Sequence, residues 1–223
     1  MGFTSTFERL IKESYSQSRI SNIGGVKVVV KNYGSPYSIK WYFITAAFFN
    51  YPYVADPRKR LSREMDFMLG DWKDFLTPRI IDFDLEEPSL TREFLEGDEP
   101  DSDQMKLVGK GLREVHDKGI VMGDTKVSNF LVSEGKLYVI DAEQSTSSDS
   151  EELKAWDLLV LFVFLAYKYL NDLDQFEKGL EAFLDSYDPD QRISRSVFNA
   201  KNGFLVALMP ILHARVAQRL LNS

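Results

Sequence analysis

The residues most able to do chemistry lie in one short stretch. Asp124-Thr125-Lys126-Val127-Ser128-Asn129 runs into the apolar Phe130-Leu131-Val132, a turn at Glu134-Gly135, a second apolar run Leu137-Tyr138-Val139-Ile140, and then Asp141. Taken singly, an Asp or Asn in a loop is usually a turn former or a cap. Together and in this order they match the needs of phosphoryl transfer. One carboxylate orients the attacking hydroxyl and accepts its proton. An amide and a second carboxylate hold Mg²⁺ on the phosphates, and a hairpin between them fixes their spacing.

Other elements must hold a nucleotide against this set. Val26-Lys27-Val28-Val29-Val30-Lys31 follows the turn signal Gly24-Gly25 and is β-branched enough to predict a strand. Lys31 ends it as the candidate cation. Lys27 shares its face, because side chains repeat every second residue, and is a rival for the role. From Pro57 the apolar spacing predicts a helix carrying Glu64, a candidate partner for Lys31. Arg79–Phe83 and Ser89–Leu95 read as two further strands around Glu86-Glu87-Pro88. Glu96 to Asp103, acidic with Gly97 and Pro100, reads as a solvated linker. Beyond it, helices are predicted over Met105–Lys118, Glu151–Leu170, Gln175–Ser186 and Ser194–Leu221, interrupted by the single hairpin. Asp157 sits among apolar neighbours, which predicts burial and hence a partner.

The 223 residues suit one generous domain or two small lobes. A net charge of −7 disfavours a broad nucleic-acid-binding face. The chain has no cysteine, which excludes disulfides, thiolate metal sites and a cysteine nucleophile. His116 and His213 form no metal or nucleophile constellation, and His116 reads as a helix-end residue. The most apolar runs, Trp41–Phe49 and Leu158–Leu165, are too short to span a bilayer. The N-terminal residues lack the pattern of a secretion signal. A cytoplasmic location and no membrane partner are the expectations.

The segment Gly123-Asp124-Thr125-Lys126-Val127-Ser128-Asn129, with Asp141 after the hairpin, resembles the catalytic and metal-binding loops of protein kinases. The order of elements is most similar to the RIO-type atypical kinases and the small kinase of the KEOPS complex. That resemblance implies an α+β, bilobal protein-kinase-like fold. Residues 1–96 would form a small β-rich N-lobe and residues 97–223 a minimal helical C-lobe. It implies ATP and Mg²⁺ as cofactors, Asp124 as catalytic base, and Lys126 on the γ-phosphate. It implies Asn129 and Asp141 as metal ligands, Lys31 and Glu64 as the phosphate-binding ion pair, and Asp157 as the brace of the catalytic loop. Thr91–Gly97 resembles a hinge in which the backbone of Glu93 to Leu95 meets adenine. Leu10–Ile20 resembles the strand–loop–strand that covers ATP, with Ser16 at its tip.

There are departures from that pattern. Ser14 to Ser18 contains no glycine, so the phosphate-covering Gly-rich loop is absent. Met122 replaces the usual His, and Asp141-Ala142-Glu143 replaces Asp-Phe-Gly. Glu143 either adds a carboxylate to the metal site or faces solvent. The aromatic stretch Ile39–Tyr53 has no counterpart and is either extra core or a partner surface. Asp-x-Lys-x-x-Asn is the form found in serine/threonine protein kinases, so a protein acceptor, such as a subunit of a complex, is the leading expectation. Two alternatives stay open. One is a small-molecule kinase resembling aminoglycoside or choline kinases; the other is an ATPase or scaffold on a kinase fold.

Overall fold

In the computed structural model the described residues are 17–34, 41, 44, 45 and 48–222. The predicted Ser16 tip, and most of the covering strand–loop–strand, lie outside them.

The first half is built on a four-stranded antiparallel sheet in the order β1-β2-β4-β3. Its strands are β1 (Ser18–Ile23), β2 (Val26–Asn32), β3 (Ile80–Asp84) and β4 (Ser89–Glu93). In β2, Val29 and Lys31 are buried, and Val28 with them. Register pairs Lys31 with Ser18 on one side and Leu90 on the other, which places it mid-sheet. Helix α1 (Pro57–Met68) starts where Asp56 accepts a hydrogen bond from Lys59 N and Pro57 takes the first turn. Its buried stripe is Arg60, Leu61, Glu64, Phe67 and Met68. Two charged residues on that stripe are anomalous and prove central to the site. Leu61 and Met68 join Tyr33 and Leu90 in a small separate core.

The second half is helical. It contains α2 (Met105–Asp117), α3 (Glu151–Lys168), α4 (Leu173–Tyr187), α5 (Gln191–Val197), α6 (Gly203–Ala207) and α7 (Ile211–Leu221). α3 is capped by Ser150 and is almost wholly buried from Ala155 to Ala166, running through the large core. The single helix expected over Ser194–Leu221 is not formed. The chain breaks after Val197 and again at Pro210, which cannot donate into a helix interior and instead caps the start of α7. Two short ladders position the loops. β5 (Ile120–Val121) pairs with β8 (Thr146–Ser147), and β6 (Phe130–Ser133) pairs with β7 (Lys136–Val139). The β6–β7 turn has positive φ at both Glu134 and Gly135, the backbone of a two-residue hairpin.

The acidic connection is less solvated than its composition suggests. Pro100 and Ser102 are buried, and Asp98 exchanges backbone hydrogen bonds with Val132. The segment after α1 is also held: Leu76 pairs with the β7 edge, donating to Leu137 O and accepting from Val139 N. Together these elements form a sheet-based N-lobe and a helical C-lobe, the α+β bilobal architecture that the sequence predicts. Among the described residues no helix is long and apolar enough to cross a membrane.

Candidate active site

Lys31 is the centre of a buried ion cluster between the lobes. Its Nζ lies 2.6 Å from Glu64 Oε2, 2.8 Å from Asp141 Oδ1 and 3.3 Å from Glu143 Oε2. Arg60 donates to Glu143 at 3.0 Å and to the Tyr33 carbonyl. Tyr33 Oη donates to Glu64 at 2.5 Å, and Trp41 Nε1 donates to Glu143 Oε1 at 2.7 Å. Gln17 adds a 2.6 Å bond to Glu143. Lys31, Arg60, Glu64 and Glu143 are all essentially inaccessible, whereas the Asp141 side chain keeps 29% exposure. Glu143 therefore faces inward, and the solvent-facing alternative is excluded. Lys27, the rival cation, is 61% exposed and pairs with Glu96 at 3.7 Å.

Two cations thus face three carboxylates, two of them away from water, and the imbalance shows in their protonation. Burial pushes Glu64 up, Lys31 pulls it down, and Asp141 and Glu143 push it up again, leaving it at about 7. Burial alone would lower Lys31, but Asp141, Glu143 and Glu64 outweigh it and hold the ammonium above its ordinary range.

The loop between β5 and β6 carries the other candidates. Asp157, fully buried on α3, accepts from Met122 N and Gly123 N, both at 2.6 Å, and its carbonyl accepts from the Thr125 hydroxyl. His116 Nε2 lies 3.0 Å from the same carboxylate and its Nδ1 lies 2.6 Å from Tyr187 Oη. This makes His116 a buried brace for Asp157 and not merely a helix-end residue. Gly123 has φ +73°, and a Cβ there would stand 2.3 Å from the Tyr51 ring, so both conformation and space require glycine. Asp124 follows, 17% exposed, with Lys126 Nζ at 2.9 Å. Asn129 donates Nδ2 to Asp124 O at 2.6 Å, and its own carbonyl accepts from Ile140 N. That last bond extends the β6–β7 ladder to the residue before Asp141, and it fixes the spacing of Asn129 and Asp141.

Glu93 ends β4. Its N–H donates to Arg79 O and its carboxylate accepts from Arg79 N. Leu95 follows the strand in the linker. The structure thus brings together Lys31, Glu64 and Asp141 in one cluster, and Asp124, Lys126 and Asn129 in one loop. It keeps Glu93 and Leu95 on the lobe connection.

No family model matches the chain. Curated relatives do. A probable bifunctional tRNA threonylcarbamoyladenosine biosynthesis protein of Methanobrevibacter smithii is 33% identical over 122 residues, 50% of this chain and 22% of that protein. Its Methanosarcina mazei counterpart is 34% identical over 148 residues, 61% of this chain and 26% of that protein. The KEOPS complex subunit Bud32 of Pyrococcus abyssi is 29% identical over 124 residues, 49% of this chain and 54% of that protein. The last is a subunit of the complex whose small kinase the order of elements resembles. The chain is protein-kinase-like. The matches span about half the length or less of these relatives. Among solved structures, WaaP in complex with acyl carrier protein aligns over 96% of both chains at 16% identity and a TM-score of 0.46.

The kinase-like cleft has a donor set suited to Mg²⁺, a hard cation that takes oxygen ligands. One oxygen each from Glu64, Asp141 and Glu143 lies within 4.8 Å of the others. Of these, Asp141 alone is partly exposed, and Asn129, having committed its Nδ2, has its amide oxygen to offer. Asp141 and Asn129 would hold the ion. When bound, it would neutralise phosphate charge and supply the positive charge that the carboxylate excess lacks.

Sequence reasoning missed Arg60, Tyr33, Trp41 and the bracing role of His116. A signal existed for the first: Arg60 and Glu64 share the apolar stripe of a helix, a place where charges need partners. Trp41 and His116 meet the site through contacts more than 40 residues away in sequence, which no local pattern encodes.

Proposed function

We propose that this chain is an ATP-dependent phosphotransferase acting on a hydroxyl acceptor. The observation that carries the reading is Lys31, held by Glu64 in the N-lobe and reaching Asp141 of the C-lobe at 2.8 Å. In this reading Lys31 binds the α- and β-phosphates, and Ser16 and the backbone of Glu93 and Leu95 contribute to holding ATP. Asp124 accepts the proton of the acceptor hydroxyl as its oxygen bonds to the γ-phosphorus. Lys126 offsets charge on the transferred group, and ADP leaves as the β,γ-bridging bond breaks. Asp157, fixed by His116, keeps the Asp124 loop in place.

The Asp-x-Lys-x-x-Asn form supports serine or threonine of a protein as acceptor, and a relative that is a complex subunit supports a protein partner. A second reading, a small-molecule acceptor, is favoured by one specific observation: an aromatic cavity adjoins Asp124 and Lys126.

Incubation with radiolabelled ATP and Mg²⁺, with and without acceptors, tests the reading. Wild type should transfer label or release ADP. Asp124→Asn should lose about 10²- to 10⁴-fold in rate, the usual worth of a positioned base, and Asp141→Asn should be inactive. Wild-type rates in both variants would overturn the assignment.

A further inference from the structure

A cavity of about 240 Å³ opens beside the proposed catalytic base, and Asp124 and Lys126 are part of its lining. Every other described residue that lines it is apolar or aromatic, including Tyr53, Trp156, Val160, Phe164 and Leu205. The polar tips of the aromatic lining are already committed. Tyr53 Oη donates to Gly123 O and accepts from Trp156 Nε1 at 3.0 Å. Trp41 Nε1 is held by Glu143, and Tyr167 Oη donates to Leu208 O at 2.7 Å. The rim stays apolar where it meets solvent, with Phe164, Tyr167 and Leu208 all substantially exposed.

From this we infer that the cavity is the acceptor subsite and that the acceptor is a small alcohol with an alkyl or aryl body. This rests on the phosphotransferase reading above. The body fills the aromatic cavity and so brings its hydroxyl to Asp124, which with Lys126 forms the polar end of the lining. The hydroxyl oxygen forms the new P–O bond, its proton passes to the Asp124 carboxylate, and the β,γ-bridging P–O bond of ATP breaks to give ADP and a phosphate monoester. A peptide segment fits less well. Its backbone N–H and C=O groups would enter a cavity whose aromatic polar tips are spent, and unpaired buried amides are costly.

The test uses the full chain and a series of primary alcohols from butanol to decanol, with 2-phenylethanol as the aryl member and glycerol as the polar control. Trp41 and Trp156 line the cavity and Trp72 does not, so intrinsic fluorescence reports occupancy. Affinity should rise about fourfold per added methylene, equivalent to ~0.8 kcal/mol, and level off when the cavity is full. With ATP and Mg²⁺, the better binders should become phosphate monoesters. Val160→Trp should weaken alcohol binding at least tenfold, with the affinity for a fluorescent ATP analogue unchanged. Phe164→Ala, at a half-exposed rim position that should not threaten folding, should move the preferred chain length upward.

If the ATP analogue binds but no alcohol binds better than glycerol, the cavity assignment is overturned and the phosphotransferase reading stands. Failure to bind the analogue as well would overturn both. Phosphorylation of a serine or threonine peptide at a rate untouched by Val160→Trp would also overturn the cavity assignment.

Discussion

Arg60 shows how much of the site depends on a residue that touches no expected ligand. Its guanidinium is fully buried and pairs with Glu143, which is itself enclosed by Trp41, Gln17 and Lys31. Removing one partner of a buried ion pair leaves the other charge uncompensated, a loss of about 3–5 kcal/mol. Arg60→Met should therefore lower the urea midpoint by that equivalent. Arg60→Met combined with Glu143→Gln should recover part of it, because the second substitution removes the stranded charge. Equal instability in the single and double variants would show that the pair does not act as a unit. At this scale the sequence was legible for which residues gather, Asp124, Lys126, Asn129 and Asp141 because an ordered set of polar types with fixed spacing is local information, and Lys31 with Glu64 through the likeness to kinases; their roles belong to the proposal. Glu143 was legible as a candidate but not in orientation, since its partners Gln17, Trp41 and Arg60 come from three separate segments.

Among the elements, α2 links the segment after α1 to the loop between β5 and β6. Its Glu114 accepts backbone hydrogen bonds from Lys73 and Asp74 and pairs with Lys118, while His116, two residues on, holds Asp157. Partial burial pushes the Glu114 carboxyl up, but the N–H groups of Asp74 and Lys73, then Lys118, outweigh it and leave the group below the usual carboxylate range. The folded state thus binds this proton less readily than the unfolded chain. The stabilisation is present above the ordinary carboxylate pKa and is lost as pH falls through the depressed value. Thermal melts of wild type and Glu114→Gln should differ most near neutrality and converge as pH falls toward 3. A constant gap across that range would remove Glu114 from the account of acid stability. Element types were largely legible here, since the periodicity of α1 to α4 and the β-branched strands are strong signals. The last helix was not. Apolar residues from Ser194 onward are dense enough to suggest one helix, and only Pro210 and the Asn199 turn carry the breaks. The two-residue β5–β8 ladder is too short to leave a pattern.

At the level of the whole molecule, the two lobes are unequal. Among the described residues the core beneath the sheet consists of Tyr33, Leu61, Met68 and Leu90, whereas the larger core runs from Tyr51 to Ala217 around α3 and takes in Phe67 of α1. A small core opens at lower free energy than a large one. Hydrogen exchange should therefore release the amides of β2 and β4 before those of α3, and Mg²⁺-ATP should slow the N-lobe amides more. Equal protection in both lobes would contradict this. The two-lobe arrangement was legible as strands, then an acidic connection, then helices. The burial of that connection was not, because Asp98 meets Val132 through backbone groups that any residue could supply.

That burial has a mechanical meaning. Asp98 is bonded to β6 and Leu76 to β7, so the lobe connection and the segment after α1 are both riveted to the same C-lobe hairpin. Two fixed points define an axis. Rocking of the sheet and α1 about it, by dihedral changes in Phe94–Gly97 and in the turn after α1, would keep every ladder intact but would have to break the bonds of Arg60 to Glu143 and of Ser145 to Arg63 O. The hairpin that carries the rivets also spaces Asn129 and Asp141, so the bearing of the jaw and the proposed metal-binding edge are one rigid part.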